Sequence, residues 1–600
     1  MAHDLRTING YPMEEGLYPH PTEVFASPLF YREQYLRKFS ASIREEINWT
    51  EKITDRKFIA NKLREAASVD GLVFGKRIHV WDKEDLGYIY NELTQEYKPY
   101  VEACKESRIQ PSVDGVWRID DFADESLRTD LIKAAATLEN DPRKKWHPES
   151  NQQLLDLVHP SWWPIIYGRS RTIEGEIIQA PDFPESNYHF DNDYDYSKRF
   201  CWLPSEFEIS PDGKTTIASY VNNLALPEQA QRFYPILENI FSMFIPLFNH
   251  VLADLRRKVD RLERVEQLGY KKLKKSDFQK SVPEETYART WEKLVMQFEQ
   301  GEKLAADIGD ELRISRSLLR RFVTSNPFST RVHIPNRGKL TKARWEPPSQ
   351  QVLEHVKLQG TTARVIVKMA TIILTPGKPQ WEGGPWHIEA LKNERIIATG
   401  IYYYDQENIT PSSLAFRRSL DRMRVTGRNA YQELSGTHNL EVEEGYLMTQ
   451  ELGSIPTKKN RAIVFPNIFQ HRIEPFELVD KTKKGYRRIL AFFLCDPSEE
   501  HKIPTTKTVP PQQLDVQEAT VKILCKTGAG KLPVELFQLV TKDIPPPISR
   551  EEAEEYKQEL MDERTKSREN SRAVTGRMAV TMSERHEYLY GDQGLGNAIS

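Results

Sequence analysis

Apolar positions along this chain follow two different periods, and the switches between them divide it. In LFYREQYLRKFSASIREEI (29 to 47) and DLGYIYNELTQEYKPYVEACKES (85 to 107) they recur every three to four residues, which predicts a mainly helical stretch over 31 to 160. The same period returns at Phe233, Ile236, Leu237, Ile240, Phe241, Phe244, Leu247, Phe248, Val251 and Leu255, a single apolar stripe suited to a core helix. The charged continuation over 256 to 275 predicts a second, more solvated helix, and 285 to 322 a third. Between the helical regions, RTIEGEIIQAPDF, FCWLPSEFEIS and TTIASYVNNL read as strands or strand-like arms. From residue 351 the sequence turns β-branched, as in VIVKMATIILT, and strands are expected at 351–374, 386–404, 413–420, 445–452, 461–465, 470–478 and 487–495.

Many short strands in series, broken by short turns, favour a double-stranded β-helix, a cupin-like jelly roll. The expected class is α+β, with a jelly-roll core, an N-terminal helical lobe and a long helical insertion. The expected divisions are a surface-wrapping arm (1–30), the helical lobe (31–180), the first core strands (181–226), the insertion (227–345), the jelly roll (346–500), and a Pro-rich crossing with a charged helix and tail (501–600). Trp146, Trp162 and Trp163 cluster near a Pro-rich turn and read as packing between lobes.

Two of these strands carry metal-ligand chemistry. In WEGGPWHIEALKNERIIATGIYYYDQENIT (381 to 410), His387 and Glu389 stand two apart, so on a strand they share a face. In FPNIFQHRIEPFEL (465 to 478), His471 follows another strand, too far along the chain for a local finger. Two imidazoles and one carboxylate, with coordination positions left open, suit a non-haem Fe(II) site that activates O2. A further strand, GYRRILAFFLCDP, brings Arg487 and Arg488, either of which could grip a carboxylate by a two-point contact. A lone His-x-Glu is weak, because a strand histidine satisfied by hydrogen bonds reads the same. His189 and Asp191 form a second such pair, but within NYHFDNDYDYS, which reads as a solvated loop.

Composition narrows the class. Lys and Arg number 84 against 87 Asp and Glu, net −3, so no global charge favours nucleic acid. Four scattered cysteines, Cys104, Cys201, Cys495 and Cys525, lack metal spacing and read as reduced thiols of a cytoplasmic protein, a nuclear one fitting equally. The N-terminal MAHDLRTINGYPMEEG has no apolar run of a secretory signal, and no uninterrupted apolar stretch reaches membrane-spanning length. No nucleic-acid or membrane partner is expected, and the oligomeric state is left open.

WHIE, NERI, IYYYDQENIT, FPNIFQHRIEPFEL and KKGYRRILAFFLCDP together resemble a large, mostly fungal family catalogued as a domain of unknown function. WHPESNQQLLDLVHPSWWPIIYGRSRTI, FCWLPSEF, SYVNNL and SREEAEEYKQELMDER extend that resemblance over most of the chain. The order His-x-Glu, distal His, Arg also resembles Fe(II)/2-oxoglutarate-dependent dioxygenases, on four or five positions. The resemblance implies that His387, Glu389 and His471 bind iron, and that Arg487 or Arg488 holds 2-oxoglutarate. Gly485-Tyr486-Arg487 matches the Gly-x-Arg of those enzymes and favours Arg487. Two departures stand out. Glu389 replaces the commoner Asp, and Ala390 stands where the family block has glycine. The implied enzyme uses Fe(II), 2-oxoglutarate and O2 to hydroxylate or desaturate an unidentified organic substrate, a small molecule in preference to a protein, releasing succinate and CO2. Two rivals remain at this stage: a metal-binding jelly roll with 2-oxoglutarate-independent chemistry, and a non-catalytic scaffold that binds partners.

Overall fold

The structure, a computed structural model, describes residues 29–68, 83–148, 150–182, 196–256, 344–420, 449–498, 503–526 and 547–570, with short pieces elsewhere. The main helices are α1 (Tyr31–Arg44), α2 (Arg56–Ser68), α3 (Lys83–Glu92), α4 (Glu125–Glu139), α5 (Pro227–Arg256), α6 (Gln350–Val356), α7 (Leu514–Lys526) and α8 (Arg550–Asn570). The main strands are β1 (Trp117–Ile119), β2 (Leu154–Val158), β3 (Ser205–Ile209), β4 (Thr215–Ile217), β5 (Thr362–Leu374), β6 (Ile396–Glu407), β7 (Ser413–Ser419), β8 (Thr449–Pro456), β9 (Arg461–Pro466), β10 (Phe469–Ile473) and β11 (Gly485–Cys495). Mixed helix with antiparallel sheet makes the class α+β.

The larger sheet runs β4-β3-β5-β11-β6-β9-β1 and ends on Gln110–Pro111. Strand β2 pairs with β5 beyond β3, on the same edge. The smaller sheet runs β8-β7-β10. A single antiparallel bridge between His387 and His471 extends it toward residues 385–389.

The larger sheet is covered on both faces. On one face, Val365, Val367 and Met369 of β5 and Leu490, Phe492 and Leu494 of β11 pack with the apolar stripe of α5. Gly400 of β6 permits the close approach, since a Cβ there would lie 2.9 Å from the Phe244 ring. On the other face, Ile366, Ala491, Phe493, Ile401, Tyr403, Ile463 and Phe465 pack with Leu414, Phe416, Ile455 and Phe469 of the smaller sheet. Burial of each large apolar side chain contributes roughly 1.5–3 kcal/mol. Residues on either side of a strand are therefore equally apolar, as in sheets buried on both faces. Among the described residues, α5 is the one helix long and apolar enough to cross a membrane, and 61% of its most apolar window is buried inside the protein.

Several sequence expectations change. Residues 350–356 form a helix rather than a strand, because the Ser349 side chain caps it by accepting from the Val352 N–H. Regular strand begins at Ile396, so His387 and Glu389 sit in irregular chain held by one bridge. The Pro-rich 502–548 stretch contains α7. The 31–180 region supplies β1 and β2 to the larger sheet, so it packs as part of the core. The stripe at 233–255 is helical, and 549–570 contains the charged helix α8. The expected loop with His189 and Asp191, and nearly all of the second and third insertion helices, lie outside the described residues.

Candidate metal centre

His471 lies on β10, where Phe469 and Ile473 share its inward face. Its main chain exchanges two hydrogen bonds with His387, N to O at 2.9 and 3.1 Å. That exchange brings the two rings to 4.3 Å between centroids. Glu389 follows, and the chain then turns sharply at Ala390, which has φ +59°. This is the position where glycine was expected, and the left-handed backbone explains why glycine suits it. His387, Glu389 and His471 each offer a ligand atom, all within 4.8 Å of one another. Nε2 of His471 lies 3.4 Å and Nε2 of His387 3.7 Å from the same Glu389 Oε1. The shared strand face inferred from spacing is thus replaced by a bridge and a turn, with the same convergence.

Protonation states suit a cation. His387 Nδ1 lies 2.9 Å from the Pro385 carbonyl, which can only accept, so Nδ1 donates there and Nε2 is the ring atom turned toward Glu389. Burial pushes His471 down to about 4, helped by His387 and opposed by Glu389, so this ring is neutral near pH 7. Burial opposes charge on Glu389, but His387 and His471 outweigh it and hold the carboxyl well below the usual range. A neutral imidazole at His471 and an ionised carboxylate at Glu389 are ligand forms a metal requires. His387 is 32% exposed and the other two are nearly enclosed, so the approach is from one side.

The two arginines of β11 face opposite ways. Arg488 faces outward and is fully engaged: Nε and Nη2 donate to Glu139 and Nη1 to Asp405, all at 2.8 Å. Arg487 has the parity of Ala491 and Phe493 and points between the sheets, with no exposed surface. Among the described residues its one hydrogen bond is from Nη1 to Ser412 Oγ at 3.3 Å, while Nε and Nη2 lack partners. Its guanidinium lies 4.2 Å from the Phe476 ring centroid and 5.9 Å from that of Tyr403. Burial pushes Arg487 down to about 10. Of the tyrosine run, Tyr402 and Tyr404 pack under the helices, whereas Tyr403 faces inward beside Arg487 with its hydroxyl unpartnered. Burial raises Tyr403 to about 12, so it is a hydrogen-bond donor at neutral pH.

Sequence reasoning missed Asn467. Fully buried, it accepts from the Glu389 N–H at 2.9 Å and donates to the Glu389 and Ile396 carbonyls at 3.0 and 2.9 Å. It thereby fixes the main chain that aims the carboxylate. The Pro-Asn break after β9 was readable as a strand end but not as this clamp. A second His/Asp cluster, His147, Asp156 and His159, was also missed. There Lys557 of α8 places its ammonium 2.9 Å from Asp156 Oδ2, so a cation of the protein already occupies that carboxylate.

The family model described as "Protein of unknown function (DUF4246)" matches residues 83–520, and that of the DUF4246 N-terminal domain matches residues 6–65. No curated protein matches the chain. Among solved structures, an Fe(II)/(alpha)ketoglutarate-dependent dioxygenase, TqaL, aligns at 12% identity over 34% of this chain and 62% of its own, with a TM-score of 0.17. The chain thus spans less than two thirds of that protein. IDO from Bacillus thuringiensis aligns at 8% identity over 27% of this chain and 70% of its own, with a TM-score of 0.15. A bsmA homolog from Methylobium petroleophilum PM1 aligns at 8% over 26% and 57%, with a TM-score of 0.14. Likenesses this distant carry no weight for the chemistry.

Proposed function

The chain belongs to the DUF4246 family, whose function is unknown, and from its own residues we propose that it is an Fe(II)- and 2-oxoglutarate-dependent oxygenase. The observation that carries this reading is that the space between the two sheets receives two unlike features: the convergent His387, Glu389 and His471 from the smaller-sheet side, and the buried, under-partnered guanidinium of Arg487 from the larger. A metal alone would account for the first and leave the second unexplained. Sheet order supports the reading too. Strands β5-β11-β6-β9 on one side and the His387 segment-β10-β7-β8 on the other have the antiparallel order of a double-stranded β-helix, and we take the core to be one.

In this reading His387, Glu389 and His471 hold Fe(II), with Asn467 and the Pro385 carbonyl fixing their aim. Arg487 takes the far carboxylate of 2-oxoglutarate, with the Tyr403 hydroxyl beside it as a donor. Bound there, Fe(II), 2-oxoglutarate and O2 supply oxidative decarboxylation, giving succinate and CO2 and hydroxylating or desaturating a C–H bond. The enclosing apolar side chains, Phe465, Phe469 and Phe493 among them, exclude water from the reacting centre. The substrate proposed is a small organic molecule, and no nucleic-acid or membrane partner is invoked. The four free cysteines fit a reducing compartment such as the cytoplasm.

The test is anaerobic loading with Fe(II), calorimetric titration with 2-oxoglutarate, then admission of air and assay of succinate. Tight 2-oxoglutarate binding that needs the metal, followed by succinate release, is expected. Metal binding without either would leave a metal site of other chemistry.

A further inference from the structure

We propose that Lys368 is the recognition group for a carboxylate on the organic substrate, so that the enzyme acts on organic acids. This rests on the oxygenase reading of the same inner face. Lys368 is the one charged residue in VIVKMATIILT of β5. Its neighbours Val365, Val367 and Met369 pack under α5, while Ile366 packs between the sheets. Alternation therefore sends Lys368 inward. Its cross-strand partner is Ala491 and its neighbour two along is Ala370, so small side chains flank the ammonium stem.

Register places Lys368 on the inward face that Phe465, the ring beside His471, also shares, three strands along the sheet. His471 lies 4.7 Å from the Phe465 ring. Phe465 pairs with Thr399, Thr399 with Phe493, and Phe493 with Ile366. Lys368 is the next inward position of β5 after Ile366. Arg487 pairs with Ile372, four residues further, about 13 Å along the strand. The Lys368 charge is felt at Glu389, His471 and His159, in each case lowering proton affinity.

Among the described residues, no carboxylate forms an ion pair with Lys368. No ion pair or hydrogen bond reaches it among the described residues. Asp156, the acid on the adjoining strand β2, is committed to Lys557 at 2.9 Å and to His147 at 3.2 Å. Glu389 is committed to the metal. The co-substrate has two carboxylates, one for the metal and one for Arg487. A third cation on this wall therefore answers to a third anion, and that anion comes with the substrate.

The probes are matched acids and amides, phenylacetate against phenylacetamide and hexanoate against hexanamide, added to protein loaded with Mn(II) and 2-oxoglutarate. Thermal shift and calorimetry should show the acids bound at least tenfold more tightly than the amides. Lys368→Met should erase that preference and Lys368→Arg should keep it. Affinity for Mn(II) and for 2-oxoglutarate should stay within twofold in both variants. Equal binding of acids and amides, or a preference that survives Lys368→Met, overturns the proposal. A tenfold loss of 2-oxoglutarate affinity in Lys368→Met also overturns it, by assigning the lysine to the co-substrate. Wild-type protein that binds neither Mn(II) nor 2-oxoglutarate defeats the oxygenase reading itself, a result distinct from any of these.

Discussion

Replacing Arg487 by Met should make the ligand-free protein more stable and its co-substrate binding much weaker. The guanidinium is fully buried, has one long hydrogen bond, and carries two nitrogens with no partner. Burial pushes its pKa down to about 10 from an ordinary 12.5. At ~1.4 kcal/mol per pH unit, holding that charge in place costs about 3 kcal/mol in the absence of a ligand. Methionine fills similar space without charge, so urea unfolding of Arg487→Met should show a gain of roughly 1–3 kcal/mol. With Mn(II) present, 2-oxoglutarate affinity should fall more than tenfold, toward the ~2–5 kcal/mol expected when one partner of a buried charge pair is removed. Arg487→Lys should recover only part, lacking the planar fork. Arg488→Met is the contrast. It breaks three contacts at 2.8 Å to Glu139 and Asp405, so it should destabilise the fold and spare 2-oxoglutarate. An Arg487→Met protein that is less stable and binds 2-oxoglutarate normally would make Arg487 a structural residue and refute the reasoning.

Asn467→Ala should weaken Mn(II) binding by roughly 10–100-fold although all three ligands remain, as loss of outer-shell support does elsewhere; unchanged affinity on calorimetry would remove its positioning role. Lys557→Met should cost about 3 kcal/mol in chemical unfolding at pH 7, because the Asp156 carboxylate is left buried, with side-chain exposures of 5% and 1% for the pair. Burial alone would raise Asp156; His159, His147 and Lys557 reverse this and hold it well below the usual range. That stabilisation is complete above the ordinary carboxylate value near ~4 and is lost as pH falls below it, so wild type should lose more stability than Lys557→Met between pH ~5 and ~3. Ala390→Gly relieves left-handed backbone costing ~1–2 kcal/mol and gives up a buried methyl worth ~0.8 kcal/mol, so a net gain near 0.5 kcal/mol is expected in thermal unfolding, and a loss above that size would contradict the strain.

The α5 stripe was legible because its apolar period is long and unbroken, and most core strands because β-branched runs alternate with short turns. Ser349 ahead of α6 was a cap signal that the apolar content of 351–374 concealed. The facing of Arg487 and Arg488 was not readable from neighbouring residues, since α5 on one face and the smaller sheet on the other make both parities of β11 apolar. Only long-range pairing resolves it, through Glu139, Asp405 and Ser412. His387 and Glu389 were legible as a pair by spacing, yet their convergence comes from a bridge to His471 and a turn at Ala390, which spacing does not encode. Asn467 carried no local signal, because its partners are main-chain groups 71 and 78 residues away. Lys368 did carry one: the single charge within the mostly apolar run VIVKMATIILT.

If His387, Glu389 and His471 form one Fe(II) site, iron is retained only while both histidines are in place. Anaerobic equilibrium dialysis against Fe(II), with metal analysis and circular dichroism on the same samples, tests it most directly. Wild-type protein should retain about one iron per chain, and His387→Ala and His471→Ala should each retain almost none while keeping the wild-type spectrum. Near-stoichiometric iron in both folded variants would contradict the site.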